Sequence, residues 1–268
     1  MSQRYLFTFK SLCRHASLHR STALIVMFVV PVAIGCAGQE GSFGTQAAWK
    51  TVSVKPDDLG IEWVRIEHGV RRPLKAFGIS KYEITHAQYA AFVKATGYDG
   101  REHPSSKASE PFLASWTNGE FPRDKAAHPV CNINWHHAQA FCDWLSRTRG
   151  EKIRLPSDAE WSLAARGPAG RNYPWGDAWD PTRCNWGDDG RVDGFPESAP
   201  VGSFPNGATP EGVMDLAGNI WEWSAERHLR GGPWCLAPDA QRSEVIAVED
   251  PERADDKFGF RVVREVVK

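Results

Sequence analysis

Gly212-Val213-Met214-Asp215-Leu216-Ala217-Gly218-Asn219-Ile220-Trp221-Glu222-Trp223 is the stretch around which the rest of the chain is read. Two acids, Asp215 and Glu222, bracket a Gly-Asn pair. Gly218 and Asn219 both tolerate positive φ, so the chain can reverse there. The alternation Trp221/Glu222/Trp223 suits an extended segment, with Glu222 on the face opposite the two rings. A carboxylate held among tryptophans needs a cation or several donors. Asp215 and Glu222, with carbonyls turned out by the reversal, make an oxygen cage suited to a hard cation. The alternative is a surface turn with solvated acids.

Outward from this stretch, the chain reads as a few short elements joined by long loops. Residues 61–66 (Ile61-Glu62-Trp63-Val64-Arg65-Ile66) alternate as a strand, and residues 77–84 read as a second. Thr85 is a good N-cap for a helix over residues 85–96, with Tyr89, Phe92 and Val93 on one face and Gly97 as its stop. Asn134 caps a second helix with the stripe Ala138, Phe141, Cys142 and Leu145, ending before Gly150. Ser157 and Glu160 form an S-x-x-E capping box for a short third helix, stopped by Gly167. Residues 100–125 and 167–210 carry no clear period and read as loops. Two strands are expected after Gly231-Gly232, the last over residues 258–263. The 24 glycines and 18 prolines fit this loop-rich plan, and twelve tryptophans, none before Trp49, imply a core stitched by large rings. The fold class is α+β, in one compact domain.

The net charge of −1 gives no whole-chain pull toward nucleic acid. Arg4, Lys10, Arg14 and Arg20 precede an apolar run, residues 23–34, too short and Pro-broken for a comfortable membrane span. That run ends in Ala33-Ile34-Gly35-Cys36, which resembles a bacterial lipobox. The expectation is a lipoprotein signal peptide over residues 1–35, Cys36 as the lipidated N-terminus, a flexible tether over residues 36–58, and the folded domain over residues 59–268. Ordinary secretory cleavage near Ala37-Gly38 is the alternative. Either way the mature chain is exported, into an oxidising compartment, and the lipid anchor would place it on a membrane facing the periplasm or the cell exterior. Cys131, Cys142, Cys184 and Cys235 remain in the mature chain. They allow three complete disulfide pairings, or free buried thiols.

Several segments occur in the order that marks one family: Lys81-Tyr82-Glu83-Ile84-Thr85, residues 130–135, Arg154-Leu155-Pro156-Ser157-Asp158-Ala159-Glu160-Trp161, Tyr173-Pro174-Trp175-Gly176, the opening stretch, Arg230-Gly231-Gly232 and Gly259-Phe260-Arg261. Over residues 60–265 the chain resembles the formylglycine-generating enzymes, also called sulfatase-modifying factors. The resemblance implies a C-type-lectin-like fold variant with little regular secondary structure. It implies one calcium held by the side chains of Asn185 and Asp193 and the carbonyls of Trp186 and Phe195. A second would be held by the side chains of Asp215 and Glu222 and the carbonyls of Gly218 and Ile220. Asp188 and Asp189 are read as solvated loop acids.

In the catalytic members of that family, two cysteines five residues apart follow the Arg-Gly-Gly motif and bind copper(I). The corresponding positions here are Leu236 and Gln241. Cys235 is displaced by one residue and no second cysteine follows, so it is the one catalytic candidate, and copper is not expected. Cys235 is otherwise read as a disulfide partner or a buried thiol. The nine histidines show no two-His-plus-carboxylate spacing and are expected at the surface. The reading is a calcium-stabilised binding or accessory protein of the cell envelope, recognising a polypeptide or a glycan and not nucleic acid. The alternative is an oxidase that modifies a cysteine or another residue of an exported protein through Cys235.

Overall fold

The computed structural model describes residues 6–8, 53–54, 59–67, 74–103, 111–187 and 190–266. Cys36, the tether before residue 53 and the pair Asp188-Asp189 lie outside the described residues. So does the leader, apart from one short strand. Among the described residues no helix is long and apolar enough to cross a membrane.

Among the described residues, ten short strands form two five-stranded sheets. They are β1 (Leu6–Thr8), β2 (Ser53–Val54), β3 (Trp63–Ile66), β4 (Phe77–Ser80), β5 (Ile153–Arg154), β6 (Trp221–Trp223), β7 (His228–Arg230), β8 (Ile246–Val248), β9 (Phe258–Gly259) and β10 (Val263–Glu265). One sheet runs β2-β3-β4-β10-β5 and the other β1-β8-β7-β6-β9. The parallel pairing of β6 with β9 sets Glu222 opposite Gly259, two residues before Arg261. The expected strand at residues 77–84 stops at Ser80. Beyond it the backbone leaves the ladder: Ile84 N–H donates to Phe260 O at 2.9 Å, and Val130 N–H to Ile84 O at 2.8 Å. Three short strands, not two, follow Gly231-Gly232.

The helices are where their caps predict. Helix α1 (His86–Thr96) has Thr85 as N-cap, with Gln88 closing the box and Gly97 left-handed at the C-cap. Helix α2 (Trp135–Arg149) starts at Asn134, where His137 takes the part usually played by Glu or Gln. Helix α3 (Asp158–Arg166) uses Ser157 and Glu160. Glu160 also makes a two-pronged pair with Arg154, at 2.7 and 2.8 Å, which fixes the entry of α3 against β5.

The larger apolar cluster gathers Tyr89, Phe92, Phe141, Leu145, Trp223, Phe258 and Phe260 between α1, α2 and the strands. Tyr89 stacks on Phe141 at 5.6 Å, and Phe260 meets both rings edge-on. A second cluster joins Val64, Ile66, Phe77, Ile79 and Val263 of the first sheet to Trp161 of α3 and to Val213 and Leu216. The opening stretch is therefore interior, and its acids are not solvated surface groups. Trp221, Glu222 and Trp223 are each 0 % exposed.

Candidate functional site

The two acid-bearing loops meet at Asn219. Its backbone is left-handed, with φ 65°. Its N–H donates to Asn185 O at 3.0 Å. Its side-chain Oδ1 accepts from Ala199 N–H at 2.8 Å and from Asn185 Nδ2 at 3.1 Å, and its Nδ2 donates to Glu83 Oε1 at 3.2 Å. Beside it, Gly218 has φ 83°, and a Cβ there would sit 2.2 Å from Asn185 O. Only glycine permits that approach.

In the loop of residues 185–195, Asp193 draws the backbone around its carboxylate. Oδ2 accepts from Trp186 N–H at 2.5 Å and Oδ1 from Phe195 N–H at 2.9 Å. Asn185 gives Nδ2 to Glu197 O at 2.9 Å, while its Oδ1 is buried with no hydrogen-bond partner. A buried amide oxygen left open is costly in a folded protein, and a hard cation would satisfy it. This loop fits calcium: Asn185 Oδ1, the Asp193 carboxylate and the carbonyls of Trp186 and Phe195 would hold it. The ion would supply structural charge neutralisation.

The loop of residues 215–222 is different. Arg261, also 0 % exposed, places Nε 2.6 Å from Glu222 Oε2 and Nη2 2.7 Å from Oε1. Trp161 Nε1 donates to the same Oε2 at 2.7 Å. Asp215 Oδ2 accepts from Gly202 N–H at 2.7 Å, and Glu83 Oε2 is buried with no hydrogen-bond partner. Burial, with the neighbouring charges of Asp215 and Glu222, pushes Glu83 well above the carboxylate range. Burial lifts Asp215 to about 6. Three carboxyl groups thus face one guanidinium. Among the described residues no group of three or more His, Cys, Asp or Glu side chains is arranged to hold a metal ion.

Cys131, Cys142, Cys184 and Cys235 are all buried and none is in a disulfide, so none of the three disulfide pairings forms. Burial raises the thiols of Cys131, Cys142 and Cys184, and for Cys184 the nearby Asp193, Asp180 and Asp215 add to it. These thiols stay protonated and are poor nucleophiles. Positions 236 and 241 are brought together. Gln241, fully buried, donates from Nε2 to Leu236 O at 3.1 Å and to Pro233 O at 3.0 Å, closing the turn that carries Cys235.

The histidines correct the sequence reading. His86, His128 and His137 are buried, and each uses a ring nitrogen in a hydrogen bond. His103 and His136 stack at 4.3 Å. Glu83, Asn219 and Arg261 stood inside quoted motifs without a role in the expected site. Glu83 and Asn219 are 136 residues apart, a contact no local pattern encodes.

A mixed α/β domain with few regular elements, organised by buried polar loops around Asn219, is the class that fold and site define. The sequence matches the family profile described as the Sulfatase-modifying factor enzyme 1-like domain over residues 41–266, and the chain belongs to that family. It is 36% identical over 265 residues to a formylglycine-generating enzyme of Streptomyces coelicolor, covering 74% of this chain and 80% of that one. It is 37% identical over 160 residues to the inactive C-alpha-formylglycine-generating enzyme 2 of Bos taurus, covering 52% of this chain and 51% of that one. The chain thus spans about half the length of that relative and of its Mus musculus counterpart, covered to 50%. Among solved structures, PvdO from Pseudomonas aeruginosa superposes with a TM-score of 0.64 at 24% identity, over 82% of this chain and all of that one. CarF superposes with a TM-score of 0.57 at 21% identity, over 81% and 98%. These two likenesses are of fold.

Proposed function

We propose that this protein is an exported, lipid-anchored accessory protein of the cell envelope that binds a polypeptide or glycan partner. Calcium in the loop of residues 185–195 stabilises it, and it lacks the cysteine oxidase chemistry of the catalytic relatives. The observation that carries this reading is the pair Leu236 and Gln241. The family resemblance puts two copper-binding thiols at these positions, and here they are adjacent in space but hold a hydrocarbon and an amide. Copper(I) in that chemistry needs soft thiolates, and neither group supplies one. The likeness to a relative named as inactive adds support.

One observation favours the second reading, an oxidase acting through Cys235: that thiol is not locked in a disulfide. It is, however, only 6 % exposed and has no second cysteine at the family spacing. The test supplies copper, oxygen, a reductant and a cysteine peptide of the sulfatase type, and looks for aldehyde by mass spectrometry. No aldehyde is expected. Turnover that disappears in Cys235→Ser would move this protein among the oxidases.

A further inference from the structure

We infer that β8 (Ile246–Val248) is a docking edge, and that in the processed protein an extended segment of the partner lies along it as a parallel strand. The inference rests on the reading of an exported lipoprotein with a partner, and it takes that partner to be a polypeptide.

In the full chain the edge is occupied. β1 pairs with β8 in parallel, with Leu6 opposite Ile246, Phe7 opposite Ala247 and Thr8 opposite Val248. It is the outermost strand of its sheet, in the order β1-β8-β7-β6-β9. Residues 6–8 fall between Arg4 and Lys10, inside the segment that lipoprotein processing would remove. Cleavage before Cys36 would therefore take β1 away and leave β8 outermost. Backbone N–H and C=O groups that had paired with β1 would then have no partner.

The sequence of β8 does not blunt such an edge. Proteins protect exposed edges with charged side chains, above all lysine, and with proline. Val245-Ile246-Ala247-Val248 holds neither. On its other side β8 is fixed: it pairs antiparallel with β7, His228 opposite Val248 and Leu229 opposite Ala247. Ala247 is 1 % exposed and belongs with Val245 and Leu229 to the larger apolar cluster. Val248 is 37 % exposed even beside β1. A strand anchored on one side and bare on the other is a rigid template, and main-chain pairing with an extended peptide then needs no pocket. The direction of the seated strand separates a partner from a second copy. Two identical edges joined across a two-fold axis perpendicular to the sheet run antiparallel, whereas the strand on β8 is parallel.

The probe is the chain's own strand offered as a separate peptide, residues 4–10, Arg-Tyr-Leu-Phe-Thr-Phe-Lys, with a fluorophore at one end. Processed protein is purified from membranes in detergent, its mass fixes its N-terminus, and binding is read by fluorescence anisotropy. Saturable binding is expected. It should weaken about tenfold or more when the peptide carries Leu6→Pro and Phe7→Pro, which together remove a ladder donor whichever of the two residues faces β8. A second peptide with a benzophenone in place of the Phe7 ring should cross-link within the tryptic segment 243–253, which holds β8. Cys36→Ala protein whose mass shows residues 1–35 retained should bind about tenfold more weakly or less, because its own strand fills the edge. No binding, equal binding of the proline peptide, equal binding by that Cys36→Ala protein, or cross-links confined to other segments overturns the inference and leaves the lipoprotein reading standing. Processed protein that dimerises in sedimentation and excludes the peptide gives the edge to a second copy and overturns it too. Natural protein whose mass still includes residues 1–35 overturns both, since β1 then stays in place.

Discussion

Mild acid should destabilise this protein through two buried histidines. His86 Nδ1 accepts from Trp116 Nε1 at 2.9 Å, and His137 Nδ1 accepts from Asn134 N–H at 3.1 Å. Each ring therefore needs a bare Nδ1. An imidazolium has no acceptor, so protonation sets two N–H groups against each other and breaks the α2 capping box in the case of His137. Burial lowers both groups to about 4. The charges of His128 and Lys125 add to this for His86, and His103 and His136 add to it for His137. The unfolded chain takes these protons near pH 6.5 and the folded chain does not. Stability from this source is complete above about pH 6.5 and is lost as pH falls through that value toward 4. At pH 5 the loss is about 2 kcal/mol per ring, or roughly 4 kcal/mol for the two. Asp215 works the other way. Its folded value lies above its unfolded one, so it regains about 1.4 kcal/mol between pH 8 and 5, and Glu83, raised well above the carboxylate range, offsets more of the histidine loss in the same direction. For a domain near 200 residues the histidine term alone corresponds to a fall of about 8–16 °C in Tm, which the two carboxyl groups reduce. The assay is thermal unfolding by circular dichroism from pH 8 to 5. The informative variant is His137→Gln, because glutamine at the third helical position can accept the Asn134 N–H without titrating. It should keep the Tm at pH 8 and remove about half of the histidine contribution to the acid slope, about 2 kcal/mol at pH 5. An unchanged slope in His137→Gln would refute the reasoning.

Three further outcomes are expected. Chelation should lower the Tm, by the equivalent of about 2.7 kcal/mol if the free ion stood at a hundred times its dissociation constant, and Asp193→Ala should reproduce the chelated melting curve; a chelator without effect removes calcium from the account. Gly218→Ala should destabilise by about 3 kcal/mol or more in urea unfolding, since Asn185 O lies 2.2 Å from the new methyl and the backbone is left-handed there; a loss under 1 kcal/mol would mean the loops yield. Cys36→Ala should leave the leader uncleaved and shift the protein out of the lipid-anchored fraction; unchanged maturation and fractionation would sink the anchor.

What the sequence disclosed follows from the range of the interactions involved. Capping is written within four residues, and Thr85/Gln88, Asn134/His137 and Ser157/Glu160 all close as boxes. The loops of residues 185–195 and 215–222 were legible as acid-bearing turns, because Asp193 folds its own loop around itself. The destination of those acids was not legible. Glu222 meets Arg261 across 39 residues, and Arg261 reaches Ser80 across 181. A resemblance could name Glu222 as a ligand, yet only the packed structure shows its oxygens filled. The histidines failed for a related reason. Their expected place at the surface rests on polarity, whereas a neutral imidazole with one donor and one acceptor satisfied is a good interior group. Position 137 sits at the third residue of α2, where a cap was already due.

The turn after Gly231-Gly232 carries the functional argument furthest. Gly232 has φ 80°, and a Cβ there would lie 2.3 Å from Gln241 Oε1, so the glycine pair makes room for whatever side chain stands at position 241. In this chain that side chain is an amide whose Nε2 stitches Pro233 and Leu236 into one turn. A cysteine at position 241 could make neither bond at that reach, and the turn would have to be held by something else, such as a metal bridging to a thiol at 236. Leu236 instead packs against the larger apolar cluster. The same backbone can therefore be closed by a soft metal between two thiolates or by a glutamine over a leucine. On the function proposed above, the second closure would keep the shape of the turn without the redox centre, with Cys235 a buried thiol beside it.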